Sequence, residues 1–125
     1  MFRLKISKAD KLFSLYIRHR AQFTCERCLT YYQPPTSALH CSHFHGRSKK
    51  SVRWDKDNAA AICYGCHRYL GSHPVEHAQF FLKRLGRAKF DALNLRADIP
   101  QKVDETLIVL GLQQDLEDMG IRNYK

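Results

Sequence analysis

Cys25-Glu26-Arg27-Cys28 and Cys63-Tyr64-Gly65-Cys66-His67 bracket the run His40-Cys41-Ser42-His43-Phe44-His45, and this arrangement decides how the chain is read. Two Cys-x-x-Cys turns supply four thiolates, the complete tetrahedral set of a closed structural Zn²⁺ site. The chain has five cysteines, four of them spaced in this way, and metal ligation accounts for the pattern better than disulfides do. That zinc has no need of the imidazoles between and behind the turns, nor of Asn58. Such leftover groups are what a second, water-activating metal requires, so the spacing points toward metal-dependent hydrolysis.

Working outward, the remainder reads as a small frame around this centre. A chain of 125 residues is expected to form one domain with a modest core, stapled by its metal. Lys and Arg exceed Asp and Glu by nine. Six acids (Asp98, Asp104, Glu105, Asp115, Glu117, Asp118) lie in the last thirty residues, which leaves the earlier part strongly basic. A basic body suits a polyanion, and an acidic helical tail suits protein contacts. No apolar run reaches membrane-spanning length. The start Met1-Phe2-Arg3-Leu4-Lys5 lacks the apolar stretch of an export signal, so an intracellular, cytoplasmic protein with no membrane association is expected.

Periodicity gives an α+β order. Leu12, Leu15, Tyr16 and His19 mark a helix over 8–20, with Ser7 and Asp10 as its N-terminal signal. Residues 37–44 and 59–62 read as two strands, separated by a basic turn at 46–51. A short helix starts at the second Cys-x-x-Cys and stops near Gly71-Ser72-His73-Pro74. Beyond it the pattern predicts a helix from Pro74 to Leu85, a break at Gly86, a helix over 88–95, and a last helix from Pro100 to about Met119.

The order Cys-x-x-Cys, Ser42-His43-Phe44-x-x-Arg47, Asn58, Cys-x-x-Cys-His67 resembles the HNH endonucleases, also called His-Me finger or ββα-metal proteins. Within that group it looks most like the phage NinG (Rap) recombination endonucleases, through Tyr16-Ile17-Arg18, Val52-Arg53-Trp54-Asp55 and Leu70-Gly71. The core of the likeness is residues 23–73, with 74–125 as a helical extension. The resemblance implies a zinc-stapled, treble-clef-like fold and hydrolysis of DNA phosphodiesters, with branched or recombination-intermediate DNA among the substrates. It also implies a phage or prophage protein working in the host cytoplasm. By the same resemblance His43 is the general base, Asn58 braces the hairpin loop, and His67 is a ligand of a catalytic Mg²⁺ or Mn²⁺. The family places an Asp or His before the base, where this chain has Ser42, a weak ligand. His40, His45 or a water would then complete the metal set, or Ser42 would act through a water.

Arg47, Lys49, Lys50, Arg53 and Lys56 stand beside the proposed centre and suit DNA phosphates, with Arg47 nearest the scissile region. Cys41 and Trp54 read as packing residues, and His19, His73 and His77 as structural or surface groups. Three classes compete: a metal-dependent DNA endonuclease (junction-specific, or a general phage HNH nuclease on duplex), a zinc-stapled DNA-binding module without catalysis, and a protein-interaction domain that the charge disfavours. Paired incisions would need a homodimer, for which Val103, Leu107 and Leu110 of the last helix offer a face.

Overall fold

The computed structural model describes residues 5–124. Residues 1–4, whose composition argued against an export signal, lie outside the described residues, as does Lys125. Among the described residues the fold is α+β: five α-helices around one two-stranded sheet. Helix α1 (Lys8–Arg20) opens with a reciprocal cap in which Ser7 Oγ accepts the Asp10 N–H and Asp10 accepts the Ser7 N–H. Strands β1 (Leu39–His43) and β2 (Ala59–Cys63) pair antiparallel, with Ser42 opposite Ala60 and His43 opposite Ala59.

Strand β2, Ala-Ala-Ala-Ile-Cys, is buried along its whole length because α1 packs on the hairpin as α2 (Tyr64–Gly71) does. Three alanines let the covering elements approach closely. Helix α3 (Pro74–Leu85) starts with proline in its first turn. It is separated from α4 (Arg87–Asp98) by Gly86 alone, at φ +84°, a left-handed conformation that side-chain-bearing residues rarely adopt.

The last helix, α5, spans Glu105–Asp118 rather than starting at Pro100. Proline is compatible with a first turn but provides nothing to the free N–H groups there, whereas Asp104 Oδ1 accepts those of Thr106 and Leu107. The cap sets the boundary. Helix α5 lies along α1 and buries Leu112 and Leu116 in the common core with Phe13, Ile17, Ile62 and Phe81. That face therefore belongs to the fold, while Leu107 and Leu110 on the other face stay exposed. Among the described residues no helix is long and apolar enough to cross a membrane.

Candidate functional site

The four cysteines of the two turns come together with their sulfurs within 4.8 Å of one another. Cys28 Sγ and Cys63 Sγ are 3.8 Å apart, close to the edge of a tetrahedron with Zn–S bonds of about 2.3 Å. Neighbouring donors face two of the sulfurs. Cys25 Sγ accepts the backbone N–H groups of Cys28 (3.5 Å) and Cys63 (3.3 Å), and Arg27 donates to Cys66 Sγ at 3.3 Å. Hydrogen bonding with Thr30 lowers the pKa of the exposed Cys28 thiol to about 6. Glu26 fastens the first turn to the sheet, accepting the Ala61 N–H at 2.6 Å and the Arg84 guanidinium at 2.6 Å. These four residues can hold a structural zinc. Cys41, the fifth cysteine, is a free thiol whose burial pushes it up to about 12.

His43 ends β1 on the face turned to α1, with its ring 5.6 Å from that of Phe13. It lines a groove of about 480 Å³ between α1 and β1, together with Asp10, Lys11, Arg18 and Arg47. Burial lowers its pKa from 6.5, and the Arg47 charge acts in the same direction. The ring is therefore neutral at pH 7. Its Nε2 is 3.0 Å from the Arg53 carbonyl, which can only accept, so Nε2 carries the proton and Nδ1 keeps the lone pair.

The loop that carries this carbonyl is pinned by Asn58 at the neighbouring residue, Val52. Fully buried, Asn58 accepts the His45 N–H (2.8 Å) and donates to the carbonyls of His45 (2.9 Å) and Val52 (3.0 Å). The two ends of the loop between the strands are pinned by one side chain. Helix α4 closes over the same loop: His45 donates to Asn94 (2.8 Å), Ser51 to the Arg96 carbonyl (2.9 Å), and Arg96 to Asp55 (2.7 Å). His45 is thus part of the clamp. The sequence carried no local sign of it, since the partners lie more than forty residues apart.

On the other face of β1, His40 and His67 meet with their Nδ1 atoms 3.0 Å apart. Burial lowers the pKa of His67, helped by His40. Ser42 is 1 % exposed and its Oγ has no hydrogen-bond partner. The weak metal ligand expected from the resemblance is thus buried on the strand. His77, whose Nε2 is also buried without a partner, packs its ring 5.3 Å from that of Phe44, on the same side of the strand as Ser42.

Of the five basic residues expected to face phosphate, Arg53 does not. Its side chain is 7 % exposed and forms a buried ion pair with Asp10, with further donation to the Lys5 carbonyl at 3.0 Å. A long basic side chain turns inward when a carboxylate waits there, and Asp10 also receives Trp54 Nε1–H at 3.0 Å. Burial alone would raise the Asp10 pKa, but Arg53, the Ser7 N–H and Trp54 together hold it at about 2 instead of 3.8. Lys56 is exposed yet engaged with Asp115 at 2.6 Å. Arg47 sits at the groove, 3.7 Å from Asp10; Lys49 and Lys50 are exposed on the loop.

Asp10 is a residue whose weight the sequence understated, since only its capping role is local. Asp10→Asn should lower stability by about 3 kcal/mol, because it strands the buried Arg53 charge, and should lower the melting temperature on the order of 10 °C. The folded pKa lies below the ordinary value, so this contribution is present above about pH 4 and lost as pH falls toward 2. Thermal melts of wild type and variant should therefore differ at pH 7 and converge in acid.

Scanned against known families, curated proteins and solved structures, the chain matches none. The site's own geometry carries the functional reading.

Proposed function

We propose that the protein is a metal-dependent DNA endonuclease of the HNH, or His-Me finger, type. The observation that carries this reading is the state of His43: neutral, oriented through the Arg53 carbonyl by a loop that Asn58 braces, and set in a basic groove. A general base for water needs a free lone pair near neutral pH, and Nδ1 supplies one. Lys11, Arg18 and Arg47 give the groove the charge to hold a phosphodiester, and Lys49 and Lys50 add exposed positive charge on the loop. The resemblance implies a divalent ion, Mg²⁺ or Mn²⁺, at His67; His67 lies across β1 from the groove, so the charge that would face a phosphate held in the groove itself comes from Lys11, Arg18 and Arg47. The protein's own groups orient the phosphate, hold the water and take its proton.

Nicking of supercoiled plasmid with added Mn²⁺ or Mg²⁺ tests the proposal. The rate should rise with pH through a value below 6.5 and level off by neutrality, because burial lowers the His43 pKa. Absence of metal-dependent cleavage would leave the second reading, a zinc-stapled DNA-binding module, which the inaccessible Ser42 favours. That module would still bind DNA with a salt slope of about −3 if Arg47, Lys49 and Lys50 contact phosphate.

Branched recombination intermediates in a host-cell cytoplasm are the substrate class we favour within this reading. The sequence shows no recognisable groove-reading motif, so selectivity would come from shape and deformability. Comparing cleavage of a four-way junction with linear duplex decides between this and a general duplex nuclease. Paired cuts would use a homodimer; Val103, expected on its face, precedes α5 and packs on the core, which leaves exposed Leu107 and Leu110.

A further inference from the structure

We propose that the exposed side of α2 and the first Cys-x-x-Cys turn form a binding face for unpaired, single-stranded DNA. The inference rests on the endonuclease reading and deepens it by naming how a strand opened beside the cut is held. Its binding test does not depend on cleavage.

Geometry comes first. The rings of Tyr69 and His73 are stacked, with centroids 3.9 Å apart and planes 11° from parallel. The Arg27 guanidinium lies over Tyr69, 4.5 Å from the same centroid. One side of a ring has no room for both, so Tyr69 is held between them and the three groups form a column. Its parts are fixed in place by the fold. His73 Nδ1 donates to the Tyr69 carbonyl at 2.7 Å, and Arg27 donates to Cys66 Sγ at 3.3 Å. Tyr69 nevertheless stays 40 % exposed, and Tyr64, at the start of the same helix, 57 %.

What extends such a column is a flat ring with a free face. Bases inside a duplex have neighbours on both faces, whereas an unpaired base has a face to offer. Every base has one, so the column holds a strand without reading its sequence. The face is already ordered, so binding does not have to order it.

The charge around the column suits the phosphates of that strand. Arg27 also lines a hollow of about 410 Å³ between the first Cys-x-x-Cys turn and α3, with Phe80, Lys83 and Arg84. Glu26, the carboxylate lining it, is engaged by Arg84 at 2.6 Å. Lys83 is exposed, as is Arg68 on α2. Against Arg27, Arg68 and Lys83 stands one exposed acid of α3, Glu76, so the balance is positive. At its other end α2 presents Tyr64, whose ring is 6.0 Å from that of His40 at the edge of the His43 groove. A strand leaving the groove therefore meets aromatic and basic groups in succession, the combination that holds single strands.

The experiment measures binding of a single-stranded oligonucleotide of about 12 nucleotides carrying 2-aminopurine. Zinc-loaded full-length protein is used without Mg²⁺ or Mn²⁺; anisotropy of an end label gives affinity, and 2-aminopurine quenching reports stacking. We expect quenching on binding and a salt slope of about −2, for three phosphate contacts on a single strand. His73→Ala removes the end of the column and should weaken binding about tenfold and abolish the quenching. His73→Phe keeps a ring there and should keep both. Neither should change affinity for duplex, which Arg47→Ala weakens. Zinc content and circular dichroism establish that each variant is folded. Should His73→Ala fail to fold, Lys83→Gln decides, by making the salt slope shallower by about 0.7. No quenching with wild type, unchanged affinity in folded His73→Ala, an equal loss on single strand and duplex, or equal affinity for polyglutamate overturns the proposal. Single-strand binding without any metal-dependent nicking would sink the nuclease reading and keep the face. Nicking without single-strand binding would do the reverse.

Discussion

Replacing Cys63 and Cys66 by serine should leave a chain that neither binds zinc nor reaches the native fold. Cys25, Cys63 and Cys66 are buried, and the second pair joins β2 to α2 while facing the first turn across the sheet. Structural zinc in small domains contributes about 10–16 kcal/mol of binding free energy, which appears as folding free energy because the unfolded chain has no site. A whole domain is stable by only about 5–15 kcal/mol. Loss of the ion is therefore larger than any single packing defect the core could absorb. Purified wild type should carry about one zinc per chain by elemental analysis, and a strong chelator should unfold it. A double variant that stays folded without zinc, with the wild-type melting temperature, would show that the cysteines merely pack.

The four-cysteine cluster was legible in the sequence because its signal is local: each Cys-x-x-Cys is a turn, and two turns supply one tetrahedral set. The α1 cap and the break at Gly86 were legible for the same reason. The start of α5 was not. Pro100 and Asp104 both suit helix openings, and only the geometry of the Asp104 carboxylate against two N–H groups separates them.

Arg53 shows a second kind of limit. Nothing around it distinguishes a phosphate-facing arginine from one folded inward, and the decision is made by Asp10, 43 positions earlier. The α4 clamp on the loop and the meeting of His40 with His67 are equally non-local. Motif spacing gave candidate chemistry, while tertiary partners determined which candidates are free to perform it.

His43→Ala carries the largest expected effect on function. The ring lies under Phe13 and donates to one carbonyl, so truncation removes one hydrogen bond and opens a small void. That cost should be modest, about 1–2 kcal/mol, and the four-thiolate centre and the Asn58 brace do not depend on it. DNA binding should also persist, because Arg47, Lys49 and Lys50 are untouched. Cleavage should fall on the order of 10²–10⁴-fold, the usual cost of removing a general base. The acid limb of the pH–rate profile should vanish with the imidazole that causes it. His43→Gln refines the test: it can still donate to the Arg53 carbonyl yet has no basic nitrogen, so it should be as slow as the alanine variant while melting like wild type. A His43→Gln enzyme that cuts at the wild-type rate would refute the assignment, for it would show that holding the loop, and not taking a proton, is what His43 does.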